Sequence, residues 1–341
     1  MVIANVNLYD AIDAAKLSPV TKRVYRDRIS GWLSLTGAAN IEEIVLHPSK
    51  YLTQLKKEKT NNQTVKSYIS AILALFRYNP EFKQKHKKAY DGWYKEFNSV
   101  HHVIDDKYRN NEASERQVKG YVPLAKIIEV RDSLPIGSID RLLFSIYTHI
   151  PPLRADFNDV EIFTSDPPNG GTGNFIVLPP EGAISKPKLV LTEFKTKSAF
   201  NRYERQLPDA IVQELRASLN SFPRKWLFVD RSNKPYNAHG FVQFANRTFK
   251  KHTGKPLTIT LMRHIYISSI DFNKITTKER EEIAAAMTHS VGMQDRYRLI
   301  LRDNMLAEPI EVECKPVASS VQAAPAAGGG KKKRAKSRNP K

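Results

Sequence analysis

The chain has 341 residues, a hydrophobic fraction of 41% and a formal net charge of +19, with a pI near 9.8. That is long enough for two domains with proper cores and too apolar for wholesale disorder. The single cysteine, Cys314, excludes an internal disulfide framework and a cysteine-based structural zinc site.

No apolar run reaches membrane-spanning length, and the N-terminal stretch, with Asp10 and Asp13 and no basic n-region, does not read as a signal peptide. The expectation is an intracellular protein whose basic excess serves a polyanion, with nucleic acid as first choice. The excess is not confined to one end. Residues 331–341 carry seven basic side chains and no acidic one, and removing them from +19 still leaves +12.

Residues 1–100 read as helical throughout. Ser18-Pro19 has the form of a helix start, a capping hydroxyl followed by proline at the first helical position. Val20, Val24, Ile29, Trp32 and Leu33 then follow at helical spacing. A second helix follows Asn62-Gln63-Thr64, carries Val65, Tyr68, Ile69, Ile72, Leu73 and Phe76, and ends at Asn79-Pro80. Trp93, Tyr94 and Phe97 suggest one more. Basic residues recur on successive helices, among them Lys22, Arg26 and Lys66. One such run is an ordinary solvated face; the recurrence suits a surface that grips a phosphate backbone.

Residues 101–120 are polar and poor in apolar side chains, which predicts an interdomain linker. From residue 121 to 304 the pattern is mixed. Helices are predicted over Leu124–Leu134, Ser138–His149, Pro208–Leu219, Asn237–His252, Thr258–Phe272, Lys278–Thr288 and Gln294–Arg302. The helix from Asn237 carries Arg247, Lys250 and Lys251, further candidates for contact with nucleic acid. Phe175–Leu178 and Leu189–Phe194 read as strands of a small antiparallel sheet flanking a Pro/Gly loop. The predicted class is mainly α with a small antiparallel β-sheet: an all-helical N-terminal DNA-binding domain, then an α+β catalytic domain. Residues 305–341, rich in Ala, Pro, Gly and Ser before the basic cluster, are predicted to be disordered. The cluster KKKRAKSR reads either as a nuclear localisation signal or as a nonspecific DNA tail.

The residues that carry chemistry are spread along the second domain: Arg154 in IPPLRAD, Lys195 in LTEFKTK, Arg263 in TLMRH, His289 in THS and Tyr297 in DRYR. Two arginines, a histidine, a lysine and a tyrosine without a metal cluster suit phosphoryl transfer. Guanidinium forks match the non-bridging oxygens of a phosphodiester. A tyrosine hydroxyl can attack phosphorus and hold it covalently, and a lysine can protonate a leaving sugar oxygen. Each residue alone has an ordinary structural reading. Arg154 could cap the preceding helix, His289 could be a helix-end histidine, and Asp156 could hold an arginine rather than act on substrate.

In this order the motifs resemble those of the tyrosine recombinase (phage integrase) family, over roughly residues 121–303. The Pro-Pro-x-Arg-x-Asp form of the first box, Pro151 to Asp156, is similar to the branch found in eukaryotic mobile elements and large DNA viruses. The second box, usually His-x-x-Arg, is Thr260 to Arg263 here. The third, usually Gly-His-Ser and then Tyr, is Thr288-His289-Ser290 with Tyr297. Thr260 replaces the family's proton-transfer histidine; it can donate to phosphate but cannot act as a base near neutral pH. His264 is its adjacent alternative, about 40° around a helix from Thr260. Lys195 is preferred to Lys197 for the family's β-hairpin lysine because it directly follows Phe194.

The resemblance implies a site-specific recombinase or integrase that cleaves and rejoins double-stranded DNA. Tyr297 would form a 3′-phosphotyrosyl link. Arg154, Arg263 and His289 would hold the phosphate, and Lys195 would protonate the 5′-oxygen. Thr260, Asp156 and His264 would support them. It further implies no cofactor or metal, a homotetramer on two DNA sites, and a viral or mobile-element integrase, acting in a nucleus if the basic cluster is a localisation signal. The alternatives are a type IB topoisomerase-like relaxation enzyme and a DNA-binding protein that keeps the fold with weak catalysis.

Overall fold

A computed structural model describes residues 8–300 and the backbone of residues 319–322. It divides into two compact units, Met1–Asn110 and Asn111–Lys341. The basic cluster at 331–341 and the rest of the tail beyond residue 322 lie outside the described residues. No described helix is long and apolar enough to cross a membrane.

The first unit is helical: α1 (Leu8–Ala14), α2 (Pro19–Thr36), α3 (Ile41–Leu46), α4 (Pro48–Glu58), α5 (Asn62–Arg77), α6 (Pro80–Lys85) and α7 (Lys87–Arg109). Ser18 caps α2 by accepting from the Thr21 amide, and Gly37 ends the helix in the left-handed conformation at φ 66°. Helix α5 is the centre of the unit. Val65, Ile69, Ile72 and Phe76 are buried on it at i, i+3 and i+4 intervals. Trp32 from α2 meets Tyr68 and Trp93 edge-on, at 5.6 and 5.5 Å between ring centroids. Both indole N–H groups are satisfied by carbonyls, Trp32 on Tyr68 at 3.1 Å and Trp93 on Val45 at 2.8 Å.

The predicted linker is different in the structure. Residues 101–109 are the last turns of the 23-residue helix α7, and 115–120 form α8 (Glu115–Gly120) with a Ser114/Gln117 capping box. The stretch is polar but amphipathic. Val100 and Ile104, four residues apart, are both 6% exposed in the same core cluster as Trp93. Two buried residues per two turns suffice to dock a helix whose other positions are charged.

The second unit continues with α9 (Leu124–Ser133), α10 (Ile139–His149), β1 (Val160–Phe163), β2 (Asn174–Val177), β3 (Lys188–Leu191), α11 (Lys197–Phe200) and β4 (Arg202–Gln206). It ends with α12 (Asp209–Ser221), α13 (Ala238–Thr253), α14 (Ile259–Ser268), α15 (Thr277–Ala286), α16 (Val291–Tyr297) and β5 (Ser319–Gln322). Phe144 and Tyr147 of α10 pack edge-on against Phe249 of α13, at 5.1 and 5.6 Å. Arg141 joins α10 to Glu214 of α12 at 2.8 Å and donates to the carbonyls of Asp132 and Leu134.

The sheet runs β1-β2-β3-β4-β5 and is mixed rather than antiparallel: β1 pairs parallel with β2, and the remaining pairs are antiparallel. A turn at Pro168–Gly170 brings the chain back in the same direction. Gly171 follows at φ 69°, where a Cβ would lie 2.7 Å from the Phe175 ring. Strand β4, Arg-Tyr-Glu-Arg-Gln, is masked in sequence by its charge, yet Tyr203 is fully buried. Residues 319–322 were expected to be disordered with the tail; their backbone instead pairs with β4, whose other edge is already taken by β3.

The docking of α7 gives a direct test. Ile104→Ala should lower the unfolding free energy of the first unit by about 2–5 kcal/mol, as for other buried aliphatic truncations. Denaturant unfolding measures it, and an unchanged midpoint would mean that residues 101–109 are linker after all.

Candidate active site

The site begins where α10 ends. Pro151 and Pro152 cannot continue the helix, and Ile150 is already extended at φ −126°. The chain turns at Arg154, whose backbone amide donates to Asp156 Oδ2 at 3.2 Å; the backbone amide of Lys195 also faces that carboxylate. Asp156 is 8% exposed, and burial pushes its carboxyl up despite the opposing charge of Arg154. It therefore ties the arginine turn to the loop after β3. Tyr147 donates its hydroxyl to the Arg154 carbonyl at 2.8 Å, and burial holds that hydroxyl protonated.

Arg263 projects from α14 into the interior and is 1% exposed. Its Nη1 donates to the Pro152 carbonyl at 2.5 Å, a carbonyl freed of any helical partner by the Pro-Pro break. Its Nη2 donates to the Met287 carbonyl at 3.1 Å and to His289 Nδ1 at 3.0 Å. The guanidinium cannot accept a hydrogen bond, so His289 Nδ1 is the acceptor and the neutral ring carries its proton on Nε2. That Nε2 is buried and has no partner among the described residues.

The position of His289 follows from how α15 ends. Its amide donates to the Ala284 carbonyl at 3.1 Å, and the Thr288 amide donates to Ala285 at 2.9 Å. These are the paired bonds of a Schellman ending, with Thr288 in the slot that glycine usually fills. Thr288 is fully buried at φ 54°, a left-handed backbone that costs a β-branched residue about 1–3 kcal/mol. Arg154 Nη1 donates to its hydroxyl at 3.2 Å and its carbonyl at 3.4 Å; Thr196, next to Lys195, donates to the same carbonyl at 3.0 Å.

Tyr297 is the last residue of α16. Gln294, fully buried, exchanges hydrogen bonds with the Arg280 side chain and carbonyl, and Arg280 also pairs with Asp295. His264 Nδ1 meets the Tyr297 carbonyl at 2.7 Å, and the Leu299 amide donates to Ser268 at 2.8 Å. The ring stacks on His289 at 5.2 Å with Arg263 4.8 Å over its face. Burial alone would push the hydroxyl up, but the charges of Arg263 and then Arg154, both in polar contact with it, hold it below the usual phenol value. His289 is pushed down to about 3, by burial first and then by Arg263 and Arg154. His264 is pushed down to about 4, chiefly by burial.

The structure thus brings Arg154, Arg263, His289 and Tyr297 together. Lys195 and Thr260 line an adjoining cavity of about 440 Å³ with Arg154, Asp156, Asn158 and Asn246. Thr260 is exposed to that cavity, whereas His264 is buried beneath the tyrosine backbone. His264 does not stand in for Thr260; it holds α16. Lys197 is engaged with Glu193 at 2.5 Å, while Lys195 is exposed at the cavity.

The basic candidates outside this cluster are on the surface of their own units. Lys22 and Arg26 both meet Asp13, and Lys66 meets His101 Nδ1 at 3.1 Å. Arg247 and Lys250 are exposed on α13; Lys251 pairs with Asp140 at 2.9 Å. Such surface pairs are weak and can yield to phosphate.

The residues that sequence reasoning missed are Thr288 and Thr196 as partners of the arginine and lysine segments, with Tyr147 and the Pro152 carbonyl beneath them. The visible signal was a threonine placed directly after Ala-Ala-Ala-Met, where a helix ending wants glycine.

The histidines give a pH prediction. Both folded values lie below the ~6.5 of an unfolded histidine, so the folded state binds fewer protons. Their contribution to stability is complete above about pH 6.5 and is lost as the pH falls toward the folded values. ¹⁵N spectra should show the His289 ring neutral with its proton on Nε2 from pH 8 to pH 5. An imidazolium signal at pH 6 would contradict the geometry.

No protein-family model and no curated protein matches the sequence. Solved structures do. A lambda integrase(75-356) dimer bound to a COC′ core site aligns at 15% identity and TM-score 0.52, covering 90% of this chain and 96% of that one. A lambda integrase tetramer bound to a Holliday junction aligns at 14% identity and TM-score 0.50, covering 90% and 78%. A further lambda integrase dimer on a COC′ core site gives 15% and 0.50 with the same coverage. At these identities the likeness speaks to architecture, and the chain has the tyrosine recombinase fold.

Proposed function

We propose that this protein is a site-specific DNA recombinase or integrase that cleaves and rejoins DNA through a 3′-phosphotyrosyl intermediate. One observation carries the reading: both guanidinium groups make polar contact with the Tyr297 hydroxyl, and the Tyr297 ring stacks on His289, whose Nε2–H has no partner among the described residues. A scissile phosphate entering there would take its non-bridging oxygens to Arg154, Arg263 and His289. These donors strengthen their hold as charge grows in the pentacoordinate transition state. The Tyr297 oxygen attacks phosphorus and its proton, already loosened by the two arginines, passes to solvent. The bond to the sugar 5′-oxygen breaks, and Lys195 supplies the proton that this oxygen needs. Rejoining runs the same steps in reverse, with the bond energy kept in the phosphotyrosine. Thr260 donates to phosphate from the cavity and takes no part as a base.

The architecture of DNA-bound lambda integrase dimers and tetramers supports duplex DNA as the partner and assembly on it, and a homotetramer on two sites is the form proposed. The Pro-Pro-x-Arg-x-Asp box supports an integrase of a virus or mobile element. The basic cluster supports action in a nucleus.

The test is a suicide DNA substrate nicked near a candidate site. Wild type should form a covalent protein–DNA adduct and Tyr297→Phe none; no adduct with wild type would leave only a DNA-binding role. Arg154→Ala and Arg263→Ala should each slow adduct formation by about 10²–10³-fold, as for removal of one oxyanion donor. Lys195→Ala should be slow on a 5′-oxygen leaving group and recover on a 5′-sulfur one, which leaves without a proton; Lys197→Ala should be slow on neither. A two-site plasmid then separates strand exchange from simple relaxation, the topoisomerase outcome.

A further inference from the structure

Thr288 has no business in a left-handed helix ending unless something other than the backbone asks for it. The slot is the one in which glycine is free of strain, and the α15 ending would form with glycine just as well. A β-branched residue held at φ 54° and fully buried is a strained choice, and strain of this kind persists where surrounding contacts over-determine it. Thr288 has such contacts. The threonine hydroxyl, which glycine lacks, accepts from Arg154 Nη1 at 3.2 Å. Its carbonyl accepts from the same nitrogen at 3.4 Å and from Thr196 Oγ1 at 3.0 Å.

We propose that Thr288 is a positioning residue that presents Arg154 to the phosphate and latches the Lys195 loop to the arginine turn; this rests on the phosphodiester-cleaving reading above. Arg154 is only half-buried and lies on a turn, so its long side chain has rotamer freedom to lose. Anchoring Nη1 from behind leaves Nη2 and Nε to face the substrate. The Thr196 bond places the residue after Lys195 against the same carbonyl, so one strained residue couples clamp and acid. His289 is the next residue, and the left-handed turn that admits the Thr288 hydroxyl also aims the imidazole at Arg263.

The experiment compares four full-length proteins: wild type, Thr288→Ser, which keeps the hydroxyl, and Thr288→Val and Thr288→Gly, which lose it. Valine keeps the branched shape; glycine is the unstrained occupant and guards against a valine variant that does not fold. On the suicide substrate, serine should cleave near the wild-type rate. Valine and glycine should both be slower by roughly tenfold to a hundredfold, as a small misplacement of a clamp allows. In an Arg154→Ala background the Thr288 substitutions should add little, because the hydroxyl they remove acts through that arginine, while the Thr288 carbonyl that holds Thr196 stays in every variant. Wild-type rates for both hydroxyl-free variants, or losses that simply multiply with Arg154→Ala, would overturn the proposal while leaving the cleavage reading intact.

A second measurement does not depend on activity. The guanidinium ¹⁵N signals of Arg154 should show hindered rotation in wild type and serine, and averaged signals in valine and glycine. If wild type forms no adduct, the cleavage reading fails and these signals alone decide whether Thr288 orders Arg154. Averaged signals in wild type would refute it.

Discussion

The second unit depends on a buried positive charge. Arg263 is almost wholly enclosed, and an unpaired guanidinium in that place would be severely destabilising. It is made tolerable by acceptors from two distant stretches of chain: the Pro152 carbonyl, the Met287 carbonyl and His289 Nδ1. Satisfying one side chain therefore brings the end of α10 and the end of α15 to the same helix. The Tyr297 ring then lies against the guanidinium face. The constraint also decides chemistry, since a histidine that accepts at Nδ1 must offer its proton at Nε2.

The electrostatics follow from that charge. Arg263 and Arg154 hold the Tyr297 hydroxyl below its ordinary value against the effect of burial. Arg263 adds to burial in keeping both nearby histidines neutral, and Arg154 does so at His289. A site with two arginines and neutral imidazoles carries net positive charge in a place largely shielded from water. Such a place favours an anion, and does so through donors already oriented before it arrives. The tyrosine is likewise held in place: Arg280, Gln294 and Asp295 join α16 to α15, while His264 and Ser268 join the end of α16 to α14.

Rigidity is not spread evenly. The arginine turn and the tyrosine helix are tied by carbonyls and buried polar groups, whereas Lys195 is exposed and its loop is held through the Asp156 carboxylate, which faces its backbone amide, and the Thr196 hydroxyl. In the proposed reaction Lys195 meets the leaving oxygen only after the phosphate is bound, and the looser mounting suits that role. Thr260, at the same cavity, offers a hydroxyl where a base would need an imidazole.

The chain by itself determined the helical first unit, because α2 and α5 carry caps and apolar faces that depend only on local spacing. It also determined the identity and order of Arg154, Lys195, Arg263, His289 and Tyr297, since residue type and motif are properties of sequence. It did not disclose that residues 101–109 belong to a helix, because two buried aliphatics among many charges leave too faint a period. Nor did it disclose β1, β4 or the parallel β1–β2 pair: β1 is only four residues long and β4 is rich in charge, and both become strands only when a neighbour supplies the other half of the hydrogen bonds. Tertiary structure alone decided that His264 supports the tyrosine rather than replacing Thr260, and that Lys197 is turned to Glu193. It also alone revealed the contact of Thr288 with Arg154, for a left-handed backbone and a guanidinium 134 residues away in sequence are relations between distant parts of the chain.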